Sequence, residues 1–206
     1  MNLIQKTLTA LLVTSSLVVS SQAAKISPDE NLISMVSEKK ATGDVKKVYD
    51  EIKGAFGMVP NAVKQLSASP AMMKNSWELV HLMMENKNFS PKMLAMMRMV
   101  VGGESNCHYC VGANEGLLVN MFKLPLKDVQ AIKKDPHAAV LDPKQKEMLL
   151  FLVKSTSHSK SVTRKDIDAL KKLGWSEKDI VEGVRYAANI VAVTISLNTF
   201  KIYLDM

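Results

Sequence analysis

Ser69-Pro70, Ser90-Pro91 and Asp142-Pro143 set the architecture of this chain. Each pair puts a side-chain oxygen where free N–H groups need a partner, and a proline where its missing N–H is not missed. Apolar residues then recur every three or four positions, the period of a helix with one buried face. Trp77, Leu79, Val80, Leu82 and Met83 follow the first pair, Met93 to Val101 the second, and Leu149, Leu150, Phe151 and Val153 the third. The same period marks 44–56 through Val45, Val48, Tyr49, Ile52 and Phe56, with Gly57 as its stop. A Gly57-Met58-Val59-Pro60-Asn61 turn leads to a short helix over 62–66, and Gly102-Gly103 is expected to end the second proline-started helix.

Further along, helices are expected over 126–133 and 167–173, the latter opened by Thr163 with Asp166 and closed by Gly174. A polar connector is expected at 155–161. Ser176 with Asp179 caps the last helix, from Ile180 to about Leu204. Its second half (Ile190, Val191, Val193, Ile195, Leu197) is apolar nearly all round, so it belongs in a core or a subunit interface. Nowhere do strand-like and helix-like segments alternate. The expectation is one all-α domain.

The first residues read as an address rather than a fold. Lys6 precedes the short apolar runs Leu11-Leu12-Val13 and Leu17-Val18-Val19, and small residues surround a cleavage point after Ala23. That is the pattern of a secretory signal peptide over 1–23, too short in its apolar run for a membrane span. The expected mature domain is 24–206, exported to an oxidising space such as a periplasm, with no membrane insertion after cleavage. Loss of Lys6 leaves 26 basic against 20 acidic residues, a net charge of +6. The lysines are scattered in pairs such as Lys46-Lys47 and Lys133-Lys134, without an arginine cluster or aromatic platform, which argues against nucleic acid.

Cys107 and Cys110 are the only cysteines, in Gly103-Glu104-Ser105-Asn106-Cys107-His108-Tyr109-Cys110. Two thiols at this spacing meet at the first turn of a helix, where free N–H groups stabilise a thiolate. Asn106 is expected as the N-cap and Cys107 as the first helical residue. Cys107, Cys110, Asn114, Leu117 and Met121 then share one face. On this view Cys107 forms the better-stabilised thiolate and Cys110 is the more buried. His108, on the first turn, is a candidate proton donor or acceptor; Glu104, just outside, disfavours a nearby anion; His81 is a more distant candidate. A very short disulfide loop adds little stability by chain entropy, which favours redox use over a staple.

The order of these motifs resembles an AhpD-like protein of the carboxymuconolactone decarboxylase family. The resemblance rests on Gly57 to Asn61 with Ser69-Pro70, on Ser105-Asn106-Cys107-His108-Tyr109-Cys110-Val111, and on the stretch from Leu124 through the last helix. It implies a compact helical fold with the CxxC at the start of a central helix, assembled as a dimer, trimer or hexamer. It implies reduction of a peroxide or a partner disulfide; the lead reading adds reopening by an external dithiol and no bound organic cofactor. It also implies that Cys110 is attacked first and that Cys107 resolves. This chain departs from the family at two positions: Asn114 stands where a histidine is usual, and Ala95 where a glutamate is usual. Neither an amide nor a methyl group carries a proton at neutral pH, and a general base is worth typically ~10²–10⁴ in rate.

Two other functions remain open: a decarboxylase-like enzyme acting on a small organic acid or lactone, and a scaffold with a structural disulfide. Metal sites find less support. His81, His108, His137 and His158 show no HxxxH spacing for zinc. Met93, Met96, Met97 and Met99, with Met72-Met73 and Met83-Met84, recur at helical spacing and read as core filler before copper ligands.

Overall fold

The computed structural model describes residues 26–205, so the expected signal peptide, 1–23, lies outside the described residues. Within them the chain forms α1 (Gly43–Phe56), α2 (Asn61–Lys64), α3 (Pro70–Glu85), α4 (Pro91–Glu104), α5 (His108–Asn120), α6 (Leu126–Lys134), α7 (Pro143–Ser157), α8 (Arg164–Lys172) and α9 (Glu177–Thr199), with short 3₁₀ turns between some of them. No strand occurs among the described residues. The proline starts behave as read. Ser90 Oγ accepts from Met93 N (3.2 Å) and Asp142 Oδ1 from Gln145 N (3.0 Å). At Ser69 the proline at the first helical position starts α3 without a side-chain cap.

α4 is the axis of the molecule, with α5, α7 and α9 packed around it. Its Met93, Met96, Met97 and Met99 are buried, where flexible thioethers fill a core between several helices. A smaller core joins α1 to α3 through Val48, Tyr49, Ile52, Met73 and Trp77. A third, around the cysteines, gathers Tyr109, Leu197 and Ile202.

Two boundaries and the covering of the last helix differ from the sequence expectation. α7 continues to Ser157 through the expected polar connector, because the Ser155, Thr156 and Ser157 hydroxyls bond back onto Phe151 and Val153 carbonyls. α9 stops at Thr199 rather than near Leu204. Lys201 takes a left-handed conformation (φ +51°) and Ile202 N donates to Leu197 O (2.9 Å), a Schellman-type closure that turns the tail back over the molecule. Finally, α9 is covered on one side only. Ile180, Gly183, Ala187, Ile190, Thr194 and Leu197 face inward, while Val181, Ala188, Ala192 and Ile195 are exposed, Val181 by 67% and Ile195 by 59%. Length and composition would let this helix cross a membrane; here one face is core and the other is open.

The start of α9 is held by a buried carboxylate. Asp179 accepts from Ser176 N (3.0 Å) and Oγ (2.6 Å), from Asn86 Nδ2 (2.9 Å) and from Asn88 Nδ2 (3.1 Å), which ties the α3–α4 loop to the helix. Burial alone would raise the Asp179 carboxyl, but the hydrogen bonds from Ser176, Asn86 and Asn88 outweigh it and bring it down to about 2. A carboxylate depressed in the fold stabilises above its unfolded pKa, about 3.9, and that stabilisation is lost as pH falls through the folded value. The contribution at neutral pH is about 2 kcal/mol. Asp179→Asn should therefore lower stability by about 2 kcal/mol at neutral pH and flatten the acid limb between about pH 4 and pH 2. Urea unfolding followed across that range reads both effects, and an acid limb identical to the parent's would contradict this account.

Candidate redox site

The site begins with two helices that meet more closely than side chains allow. A Cβ on Gly102 would overlap that of Cys110 and lie 3.2 Å from its Sγ, so only glycine lets α5 start against α4. Gly102 and Gly103 thus lie inside α4, which runs on to Glu104 instead of ending at them. The connection is a single turn: Asn106 N donates to Gly103 O and Cys107 N to Gly102 O, both at 3.0 Å. Asn106 takes a left-handed conformation (φ +52°), which asparagine tolerates. It is therefore the turn residue rather than the expected N-cap. Cys107 is not the first helical residue but the cap itself, its Sγ accepting from Cys110 N (3.1 Å).

Cys107 and Cys110 are joined as a disulfide, with Cα atoms 5.3 Å apart. Cys107 is 0% and Cys110 5% exposed, so the order of burial is the reverse of that expected. The cover comes from both ends of the described chain. Ile33 and Met35 pack on one side, and Phe200, Ile202 and Leu204 on the other. Leu204 fits against Gly112, where a Cβ would meet its Cδ1 at 2.8 Å. Leu32 N donates to Phe200 O (3.0 Å) and joins the two segments. Asp205 fastens the tail: it accepts from the Tyr109 hydroxyl and from Asn61 N (2.8 Å), while Asn61 Nδ2 donates to Tyr203 O (3.2 Å). Burial, with the Asp205 carboxylate beside it, pushes the Tyr109 phenol well above its ordinary range, so this residue between the cysteines stays a donor. Behind this wall a cleft of about 940 Å³ opens between residues 31–39 and α1, and Ile33 and Met35 line both sides.

The other named residues divide sharply. Asn114 is buried and fully engaged, Nδ2 donating to Cys110 O (2.7 Å) and Oδ1 accepting from Arg98 Nε (2.9 Å). Arg98 also donates to the Tyr186 hydroxyl (3.4 Å). Ala95 is buried in the α4 core. His108 and Glu104 are exposed at the mouth of the turn. His81 is not part of the group: it is exposed on α3, 3.6 Å from Glu85 and stacked edge-on near Trp77. The shared face of α5 turns at its end, Leu118 being buried where Met121 is 67% exposed. Asn198 of α9 binds the α4–α5 turn through Ser105 O (2.9 Å).

Sequence reasoning missed Arg98, Thr194, Tyr109 and Asp205. Arg98 had a signal, as the single charge in the apolar run from Met93 to Val101. Thr194, whose Oγ1 lies 3.4 Å from Cys110 Sγ, had a weaker one as a hydroxyl among the apolar residues of α9. The Tyr109–Asp205 contact joins residues 96 apart in sequence, and no local pattern announces it. Among the described residues no group of three or more His, Cys, Asp or Glu side chains is placed to hold a metal ion. Chemically the arrangement is a disulfide at a helix N-terminus, with a backbone N–H on one sulfur, a hydroxyl on the other and a guanidinium one residue removed.

No protein-family model matches the chain. Nor does any curated protein match it in sequence. Solved structures do match in fold. An uncharacterized peroxidase-related protein of Ralstonia eutropha JMP134, an alkylhydroperoxidase AhpD core, aligns with TM-score 0.73 at 21% identity over 85% of this chain and 92% of its own. An uncharacterized peroxidase-related protein of Silicibacter sp. TM1040 aligns with TM-score 0.72 at 18% identity, covering 86% and 93%. The debrominase Bmp8 aligns with TM-score 0.67 at 13% identity, covering 84% and 92%. The chain thus has the all-α AhpD-like fold that its motifs resemble.

Gly102→Ala tests the closeness of the two helices. Overpacking at a site this tight costs typically about 1–3 kcal/mol. The substitution should lower the melting temperature and displace the start of α5, read as faster reduction of the disulfide by dithiothreitol. A parent-like melting curve would show that the approach is looser than described.

Proposed function

We propose that Cys107 and Cys110 form the working dithiol/disulfide of an exported thiol oxidoreductase that reduces a peroxide or a partner disulfide. The observation that supports this best is the capping geometry. Cys107 Sγ receives the Cys110 N–H at the head of α5, so one sulfur of the pair occupies the anion position of a helix start. The family likeness, carried by fold and by the CxxC, points the same way. Export rests on the N-terminal pattern and on a cysteine pair suited to an oxidising compartment.

The cycle follows from elementary thiol chemistry. Cys110, which the resemblance gives as the sulfur attacked first, acts as the attacking thiolate, with Cys107, held by the backbone donor, as the resolving one. Its sulfur takes the terminal oxygen of a hydroperoxide; the O–O bond breaks, and the alkoxide leaves to collect a proton from water. The resulting sulfenic acid is attacked by the Cys107 thiolate, hydroxide leaves, and the disulfide closes. An external dithiol returns two electrons and two protons by exchange. Asn114 and Ala95 supply no proton relay, so the thiolate depends on fixed donors. Turnover is accordingly slower than a base-assisted site would give. Substrate reaches the sulfurs when the 200–205 segment lifts from Gly112 or when the Ile33–Met35 wall parts towards the cleft.

A working pair predicts that Cys110→Ser abolishes peroxide- or disulfide-linked turnover, and that Cys107→Ser accumulates a mixed adduct on Cys110 visible by intact mass. A decarboxylase-like enzyme would keep its activity in both variants. A scaffold would show no turnover in the parent chain and would only melt earlier once reduced.

We also propose that the open face of α9 joins copies of this chain. Val181, Ala188, Ala192 and Ile195 are exposed at heptad spacing, with Arg185 the one charged residue on the same stripe, and such a seam suits a second helix that offers a carboxylate opposite Arg185. Ile195→Glu should reduce the particle mass by light scattering without changing helical content. An unsubstituted chain that is already monomeric would contradict the assignment.

A further inference from the structure

Thr194 lies on the inward face of α9 and is 0% exposed. A hydroxyl buried in a helix ordinarily turns back onto a carbonyl three or four residues earlier. Ser155, Thr156 and Ser157 of α7 do so, and so does Ser196, two residues further along α9, onto Val193 O. The Thr194 hydroxyl points instead at Cys110 Sγ, 3.4 Å away. A disulfide sulfur carries no proton, so here the hydroxyl is the donor, and a disulfide sulfur is a weak acceptor. The cluster around Cys110 that Thr194 meets is apolar, with Val193, Leu197 and Ile202 in it. Valine would fill this volume without burying a polar atom. A hydroxyl at this position is matched to the other redox state, in which Cys110 is a thiolate and a strong acceptor.

We propose that Thr194 is a catalytic residue of the dithiol, its hydroxyl donating to the Cys110 thiolate and stabilising it. The proposal rests on the redox function above and deepens it. Each sulfur then has its own fixed donor: the Cys110 N–H for Cys107, and the Thr194 O–H for Cys110. The threonine gives up no proton. The thiol proton leaves to solvent, and the hydroxyl holds the anion that remains. A hydrogen-bond donor that needs no titration thus serves where Asn114 and Ala95 offer no base.

The test uses Cys107→Ser, in which Cys110 is the single thiol, and reads its pKa from the ultraviolet thiolate absorbance against pH. Adding Thr194→Val should raise that pKa by about one unit, which is tenfold less thiolate below the pKa. Thr194→Ser, which keeps the hydroxyl, should hold it near the starting value. Thr194→Ala gives a second hydroxyl-free chain, and circular dichroism confirms that each variant folds. An unchanged pKa in both hydroxyl-free chains overturns the proposal, as does an equal rise in Thr194→Ser. Peroxide consumption and dithiothreitol exchange are followed in the chain with both cysteines. A raised pKa in a chain whose disulfide never turns over would overturn the redox function and leave the hydrogen bond standing. An unchanged pKa in a chain that turns over would do the reverse.

Discussion

The close approach of α4 and α5 at Gly102 is the constraint from which the rest of the site follows. Because Gly102 has no side chain, Cys110 packs directly on α4, and the carbonyl of Gly102 takes the Cys107 N–H. That bond leaves one turn between the helices. Asn106 meets the turn with a left-handed backbone, which moves the cap one residue along and makes it a sulfur. The same packing brings Arg98 beside Asn114 and sets Cys110 against Thr194 of α9. The missing Cβ thus sets where Cys110 packs against α4, while the packing of α9 brings the hydroxyl to its sulfur.

Burial makes those donors decisive. An unpaired ion taken into a protein interior carries a penalty of several kcal/mol. The field of a helix start returns typically about 0.3–1 kcal/mol, and up to ~2 kcal/mol in a partly buried setting. On these magnitudes the helix field alone does not make a sealed thiolate favourable. Hydrogen bonds to a charged group are worth about 1.5–3 kcal/mol each. Were a sulfur ionised here, as proposed above, one such bond on it would be of the scale needed to balance the loss of water. A site sealed by Ile33, Met35, Ile202 and Leu204 and fastened through Asp205 therefore relies on its directional contacts more than on its place at a helix end.

The sequence made the helices legible because their starts are written in single residues: Ser90-Pro91, Asp142-Pro143, Ser176 with Asp179. Period and punctuation are local, and so is the CxxC. Where local reading failed, a distant partner had intervened. Gly102-Gly103 looks like a stop until α5 is seen to need the space. Asn106 looks like a cap until the turn claims it. Met121 continues the apolar face of α5 on paper, but it lies in the turn that ends the helix and is 67% exposed. Tyr109 gives no hint of Asp205, nor Cys110 of Thr194, since those contacts depend on how α9 and its tail are packed. Arg98 is the instructive intermediate case: a lone charge inside an apolar run signals a buried polar partner, even where the sequence does not say which.

α9 carries three duties at different positions, which explains its odd composition. Its inward seam needs small or branched residues where Gly183 meets Phe89 and Leu152, and a hydroxyl where Thr194 meets Cys110. Its end needs a stop that is also a reversal; Lys201 supplies the turn, and Ile202 returns to Leu197 to begin the cover over the disulfide. Its outward seam exposes Val181, Ala188, Ala192 and Ile195, with Arg185 the one charge set among them. Both seams belong to one continuous helix, Glu177–Thr199, so the residues that meet Cys110 and those that face outward share one backbone.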